Sequence, residues 1–330
     1  MPLDALAQNL LSPLVLAFAL GVVASYLKSD LRLPDALYAS LSIYLLFAIG
    51  LKGGVALSKT PISEVALPAL GTLVLGVVTP LTAFAVLRRL RFDRADAGAL
   101  AAHYGSVSAV TFLAAIAYVT VAGYTPEGFM PTLVALLEVP AIVVGLLLAT
   151  ARGAGAKADA SADAAGRAPW RVALHDVLTG RSIVLLVGGL VVGTLAGERG
   201  MAPVAPFFVA GFQGALTLFL LEMGIVAAAR LRDLKAVGGR LVGFAIALPI
   251  VHGALGVAVG QACGLGIGGR AVLGAMVSRA SYIAAPAAVR MALPEASPTL
   301  YLTAALGITF PFNLALGLPL YLAMAVWMAS

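Results

Sequence analysis

Long apolar segments recur along the whole chain, and only short polar stretches separate them. An α-helix of about 20 apolar residues can cross the hydrocarbon layer of a bilayer, which is about 30 Å thick. Of the 330 residues, 61% are hydrophobic and 11% are charged, whereas a soluble domain is about half apolar and a quarter charged. The sequence therefore predicts an all-α polytopic protein with about ten transmembrane helices in a lipid bilayer.

The segments that we expect to cross the membrane form two groups of five, separated by a polar linker. In chain order, the predicted spans are residues 10–27, 37–57, 65–87, 97–122 and 130–149, then 182–196, 204–229, 241–263, 271–292 and 300–327. The linker contains the run GAGAKADASADAAGRA, which has too few large apolar residues to bury a core of its own. We therefore divide the chain into a first repeat (1–150), a cytoplasmic linker (151–180) and a second repeat (181–330).

Lysine and arginine fall mainly in alternate loops, and the cytoplasmic loops of membrane proteins carry an excess of both. One side of the membrane would receive Lys28, Arg32, Arg88, Arg89, Arg91, Arg94, Arg152, Lys157, Arg167, Arg171, Arg181, Arg230, Arg232, Lys235, Arg240 and Arg290. The other side would receive Lys52, Lys59, Arg199 and Arg270. This asymmetry predicts that both termini lie outside and the linker in the cytoplasm, and it accounts for the net charge of +6 without a nucleic-acid partner. We expect the membrane to be the plasma membrane.

Three short motifs recur in the same order in the two halves of the chain. The matched residues are Gly50 with Gly224, Ser108 with Ser281 and Pro140 with Pro311. Because each half has an odd number of predicted spans, the second copy would enter the membrane from the opposite side. Inverted repeats of this kind are typical of secondary transporters, in which the substrate lies near the midplane between broken helices.

Small and hydroxyl-bearing residues interrupt the fourth and ninth predicted spans. A helix that breaks and restarts at the midplane directs free N–H groups, and a partial charge of about +0.5, at the gap before it. An anion fits such a position, although small residues also allow helices to pack closely without binding anything. The residues that we expect to bind the anion are Gly105, Ser106, Val107, Ser108, Ala109, Arg279, Ser281 and Tyr282.

Glu138 lies within an apolar span, where a charge costs about 2.5 to 3.5 kcal/mol on insertion scales. The corresponding part of the second repeat contains Thr309 and Asn313, whose oxygens suit a hard cation. The sequence thus favours a sodium ion held by Glu138, Thr309, Asn313 and Ser106 as a coupling ion. A protonated glutamate with a purely structural role is the alternative.

Arg279 is the least expected residue of the second interruption, because it lies inside an apolar span rather than in a loop. It could pair with Glu138 or Glu222, extend to the membrane surface, or place a fixed positive charge beside a bound anion. The sequence contains no spacing typical of a zinc site or of a nucleotide-binding loop. We therefore predict that the protein is not an enzyme and needs no cofactor beyond sodium.

Several longer strings resemble the SbtA-type sodium-dependent bicarbonate transporter family. They are YLLFAIGLKGG from Tyr44, AHYGSVSAVTF from Ala102, LLEVPAIVVG from Leu136, SYIAAPAA from Ser281 and ITFPFNLALGLPLY from Ile308. The resemblance implies a homotrimer that carries bicarbonate and sodium between two crossing broken helices by an elevator-like mechanism. It also implies a mobile core of spans three to five and eight to ten, and a scaffold of spans one, two, six and seven.

Two features depart from that family. Its members commonly carry a small residue or serine where this chain has Arg279, so sodium coupling here could be altered or absent. In cyanobacterial members, a linker that is often longer than the one in this chain contributes to binding a PII-like regulator. A PII-like partner is therefore a possible but open prediction for this chain. Bile-acid and arsenite-type carriers share the predicted architecture and provide an alternative cargo, while a channel and an intramembrane enzyme are alternatives of other classes.

Overall fold

The computed structural model describes Ala7, residues 9–150, His175, residues 178–282 and residues 284–330. Within these ranges the chain is all helical and contains no strand. The helices are α1 (Pro13–Tyr26), α2 (Asp35–Leu57), α3 (Ile62–Arg89), α4 (Arg94–Gly105), α5 (Ala109–Val121), α6 (Met130–Thr150), α7 (Arg181–Met201), α8 (Phe212–Leu231), α9 (Leu234–Ala262), α10 (Ile267–Val277), α11 (Ala284–Ala292) and α12 (Pro298–Trp327). The predicted linker lies almost wholly outside the described residues.

In the described part of the chain, 8 helical segments are long and apolar enough to cross a membrane. One of these segments comprises α4 and α5 together, and the shorter apolar helices α1 and α10 add to the set. The prediction of an all-helical, multi-pass membrane protein is confirmed. The count of ten spans, the division into repeats and the orientation of the termini stay predictions.

The chain breaks between the sixth and seventh predicted spans at Gly197, whose φ is 60°. Beyond that break, a 3-10 turn (Ala202–Val204) and a π-helical turn (Pro206–Ala210) lead into the regular α-helix α8 at Phe212. Pro203 and Pro206 account for the irregular turns, because they have no N–H group to donate within a regular α-helix. Apolar composition alone does not reveal such irregular turns.

Two helix pairs are packed backbone against backbone through glycines, and we call them the glycine-packed pairs. In the pair of α2 and α7, a Cβ atom added to Gly50 would lie 2.8 Å from the Cα atom of Gly189. In the pair of α1 and α8, a Cβ atom added to Gly21 would lie 3.1 Å from the Cα atom of Gly224. Such close approach is the usual function of small residues at helix interfaces in membranes.

The remaining helices form a bundle around the two interruptions. Helices α3 and α4 both pack against α6, while α10 packs between α9, α12 and α5. Because α4 also contacts α11, the interrupted segments α4–α5 and α10–α11 lie side by side. The fold therefore brings together two stretches that are distant in the sequence.

Candidate anion site at the crossing of two broken helices

The first interruption lies where the sequence predicts it. Helix α4 ends at Gly105, the backbone is extended at Ser106 and Ser108, and α5 begins at Ala109. The Ser108 hydroxyl accepts a hydrogen bond from the N–H of Thr111, 3.3 Å away, and so caps the new helix. Gly105 is required because an added Cβ atom would lie 2.8 Å from the Cβ atom of Ala141.

The second interruption follows α10, which ends at Val277. The backbone from Ser278 to Tyr282 is not helical, and α11 is described from Ala284 onward. All five residues of this interruption are buried. Sequence reasoning did not include Ser278 among the binding residues, although it stands at the start of the same hydroxyl-rich stretch.

Two hydrogen bonds join the interruptions directly. The N–H of Ser281 donates to the carbonyl of His103, at the end of α4, over 2.7 Å. The Nη1 atom of Arg279 donates to the carbonyl of Ser108 over 2.6 Å. We call this junction the crossing. It unites the residues from both halves of the chain that the sequence assigns to an anion site.

Several buried polar atoms at the crossing have no hydrogen-bonding partner in the described residues. They are the Ser106 hydroxyl oxygen, the Tyr282 hydroxyl, the Nε2 atom of His103, and the Nε and Nη2 atoms of Arg279. Leaving a buried donor or acceptor unpaired costs about 1 to 3 kcal/mol, and more for a charged group. A bound anion would satisfy the arginine donors.

The side chain of Arg279 is only 1% exposed, so it does not extend to the membrane surface, and that alternative is wrong. Glu138 on α6 is 4% exposed and attracts the guanidinium electrostatically. No ion pair within 4.0 Å joins these two side chains in the described structure. Glu222 instead accepts a hydrogen bond from the N–H of Leu33 over 3.0 Å, which assigns it to the loop before α2.

The residues proposed for sodium are all buried, but no described contact unites them. Thr309 donates to the carbonyl of Ala245 over 2.7 Å and contacts the hydroxyl of Tyr104 at 2.6 Å. Asn313 donates to the carbonyl of Ser278 over 2.9 Å, which attaches α12 to the second interruption. Sequence analysis did not foresee this bracing contact. The sodium set stays a prediction.

Two cavities lie towards opposite ends of the bundle, and one of them reaches the crossing. A cavity of about 740 Å³ extends from Arg32 and Arg290, in loops and helix ends that we predict to be cytoplasmic, to the side chain of Tyr282. A cavity of about 170 Å³ at the other end is lined by Lys52 and Glu127. The larger cavity reaches the second interruption itself. A small solute could therefore approach the crossing from that end.

These features define a class of protein: a helical, multi-pass membrane protein with a buried polar site between two broken helices. A family model of the Na+-dependent bicarbonate transporter superfamily matches residues 13–326, and the chain therefore belongs to that family. No curated protein matches the chain. The resemblance noted in the sequence is confirmed over nearly its whole length.

Proposed function

We propose that the protein carries bicarbonate together with sodium across the plasma membrane by alternating access. The observation that carries this proposal is the crossing, where buried hydroxyl and guanidinium groups from two halves of the chain meet. The start of α5 adds backbone N–H groups and a partial positive charge near +0.5, and the start of α11 would add a second. Family membership supplies the identity of the anion and of the coupling ion.

Sodium would bind near Glu138, with Ser106, Thr309 and Asn313 as candidate oxygen ligands. The Ser106 hydroxyl has no hydrogen-bonding partner in the described structure, so its oxygen is free to coordinate a cation. The Asn313 oxygen already accepts a hydrogen bond from Tyr321 over 2.8 Å. A sodium ion would have to share this oxygen with the Tyr321 hydroxyl or displace that hydroxyl. Oxygen atoms of this kind are the ligands that hard cations prefer.

Alternating access requires a frame and a moving part. The glycine-packed pairs consist of the helices assigned to the scaffold, while the crossing lies among the helices assigned to the core. Gly50 and its repeat partner Gly224 occupy equivalent contacts in these two pairs, which supports an inverted repeat. We expect the core to move against the scaffold in an elevator-like manner, within a homotrimer.

Uptake of labelled bicarbonate into proteoliposomes tests this function. Uptake should accelerate when an inward sodium gradient is imposed, because the anion and the cation load together. A potassium gradient of equal size serves as the control. Uptake of arsenite or a bile acid, with none of bicarbonate, would contradict the proposal, and single-channel currents in planar bilayers would indicate a channel.

The orientation is tested with cysteines in a Cys263→Ala background. A cysteine at Ser161, in the predicted cytoplasmic linker, should resist a membrane-impermeant maleimide on intact cells. A cysteine at Ser58, an exposed residue just after α2, should react. Labelling at Ser161 with protection at Ser58 would reverse the predicted topology.

A further inference from the structure

The guanidinium of Arg279 forms a hydrogen bond on one side only. Its Nη1 atom donates to the Ser108 carbonyl, whereas its Nε and Nη2 atoms are buried without a partner in the described residues. The side chain is 1% exposed, so these two atoms do not donate hydrogen bonds to water at the protein surface. The Ser106 hydroxyl, in the other interruption of the same crossing, is likewise buried without a partner in the described residues.

The unpaired atoms form one edge of a flat group. In an arginine side chain, the N–H bonds of Nε and Nη2 point in nearly the same direction and present a two-pronged fork. Such a fork matches two oxygens of a planar oxyanion and forms two parallel charge-assisted hydrogen bonds. Lysine offers a point charge at the same place, without this geometry.

The charges near the crossing indicate a second role for Arg279, which is to balance negative charge. Glu138 contributes one negative charge when it is ionised, and a bicarbonate ion adds a second. With Arg279 present, a single sodium ion would leave this buried group neutral, whereas a small residue at that position would require a second cation. Uncompensated charge is strongly unfavourable in such a buried environment.

We propose that Arg279 binds a planar, singly charged oxyanion through its Nε–Nη2 edge, and that its fixed charge replaces one sodium ion in loading. This inference rests on the proposed function, because it assigns a ligand to the same site. It identifies the substrate class as bicarbonate and similarly shaped anions such as formate and nitrate. Spherical chloride, which has no pair of oxygens to match the fork, falls outside that class.

Purified protein in lipid nanodiscs provides the test, with labelled bicarbonate as the probe and the other anions as competitors. Formate and nitrate should compete with bicarbonate for the wild-type protein, and chloride should not. Arg279→Lys keeps the charge and removes the fork, so bicarbonate affinity should fall roughly tenfold and the preference for oxyanions over chloride should disappear. Arg240→Lys is the matched control, because the Arg240 side chain is exposed, and it should leave the ranking unchanged.

Arg279→Ser removes the charge, and binding should then depend on sodium more steeply than in the wild type. If this variant does not elute as a monodisperse protein, Arg279→Ser combined with Glu138→Gln removes both charges and takes its place. In the double variant the steepness of the sodium dependence should return to that of the wild type, at a higher half-maximal sodium concentration because the Glu138 carboxylate is gone, while the preference for oxyanions over chloride should still be lost. Retention of that preference in both Arg279→Lys and the double variant would overturn the proposal, as would unchanged sodium dependence in Arg279→Ser.

The two hypotheses fail in different ways. Wild-type protein that carries bicarbonate, together with an Arg279→Lys variant of unaltered affinity and ranking, would overturn only the role of Arg279. Wild-type protein that binds planar anions at an Arg279-dependent site without moving bicarbonate would instead overturn the proposed function. The second result would leave the assignment of Arg279 as an anion ligand intact.

Discussion

The glycine-packed pairs and the crossing are both buried, but they are held together by opposite means. In the pairs, backbone meets backbone, and Gly54 approaches so closely that an added Cβ atom would lie 2.9 Å from the Cα atom of Gly193. At the crossing, few hydrogen bonds join the two interruptions and several polar atoms are left unpaired. Dense packing favours a single arrangement, whereas unpaired polar groups favour binding a ligand.

This contrast suggests how one chain can be both rigid and responsive. Helix pairs that touch through glycines have little freedom to slide, because each backbone occupies the groove of the other. Polar groups without partners are stabilised only when something binds them, so the stability of the crossing depends on its ligand. A carrier needs both properties, and in this protein they reside in separate regions.

The largest effect is expected at the crossing, from Ser108→Leu. The larger side chain would fill the space that an oxyanion needs and would remove the hydroxyl that caps α5, so uptake should fall at least about 100-fold. Membrane insertion depends on apolarity and should persist, as size-exclusion chromatography can check. Thr120→Leu, on the same helix but exposed, is the control. Unchanged uptake in correctly inserted Ser108→Leu protein would exclude this anion site.

The next effect concerns the frame and compares two adjacent glycines of α7. A Cβ atom at Gly189 would lie 2.9 Å from the Cα atom of Gly50, whereas one at Gly188 would meet nothing within 4 Å. Gly189→Ala should therefore lower the free energy of unfolding by about 1 to 3 kcal/mol, as expected for overpacking. Gly188→Ala should instead raise it by up to about 1 kcal/mol, because alanine favours a helix and meets no obstruction there. Thermal unfolding followed by tryptophan fluorescence measures both, and equal midpoints would show that α2 and α7 are not closely packed.

A smaller change is expected from Glu138→Gln, which removes a negative charge near the crossing. If Glu138 helps to bind sodium, the sodium concentration for half-maximal uptake should rise roughly tenfold, while the maximal rate changes little. Glu64→Gln, in the exposed first turn of α3, should have no such effect. An unaltered sodium dependence would assign Glu138 a structural role.

The smallest effect is expected from Asn9→Ala. The Asn9 amide, just before α1, donates to the carbonyls of Leu314 at 3.0 Å and Ala315 at 3.1 Å in a π-helical turn of α12. It thus ties a helix of the glycine-packed pairs to one that braces the crossing. Losing these bonds should lower stability by about 1 kcal/mol. Ser40→Ala, whose hydroxyl bonds only within α2, should lower it less, and the reverse order would contradict this link.

Much of the fold could be predicted because a bilayer constrains a sequence strongly. Each helix that crosses it must be apolar for about 20 residues, so hydropathy revealed where the described helices lie. The interruption after Gly105 was equally visible, because serines and glycine stand out within an apolar run. The irregular turns before α8 were not foreseen, since apolar composition continues through Pro203 and Pro206.

The sequence by itself determined the class of protein, the family and the two interruptions, because these depend on residue type and order along the chain. Only the tertiary structure decided which atoms meet: that Ser281 bonds to His103, that Arg279 reaches Ser108, and that Asn313 braces Ser278. These contacts join residues that are far apart in the chain, and composition does not specify their distance or direction. The burial of Arg279, with one edge of its guanidinium unpaired, likewise follows from packing between helices.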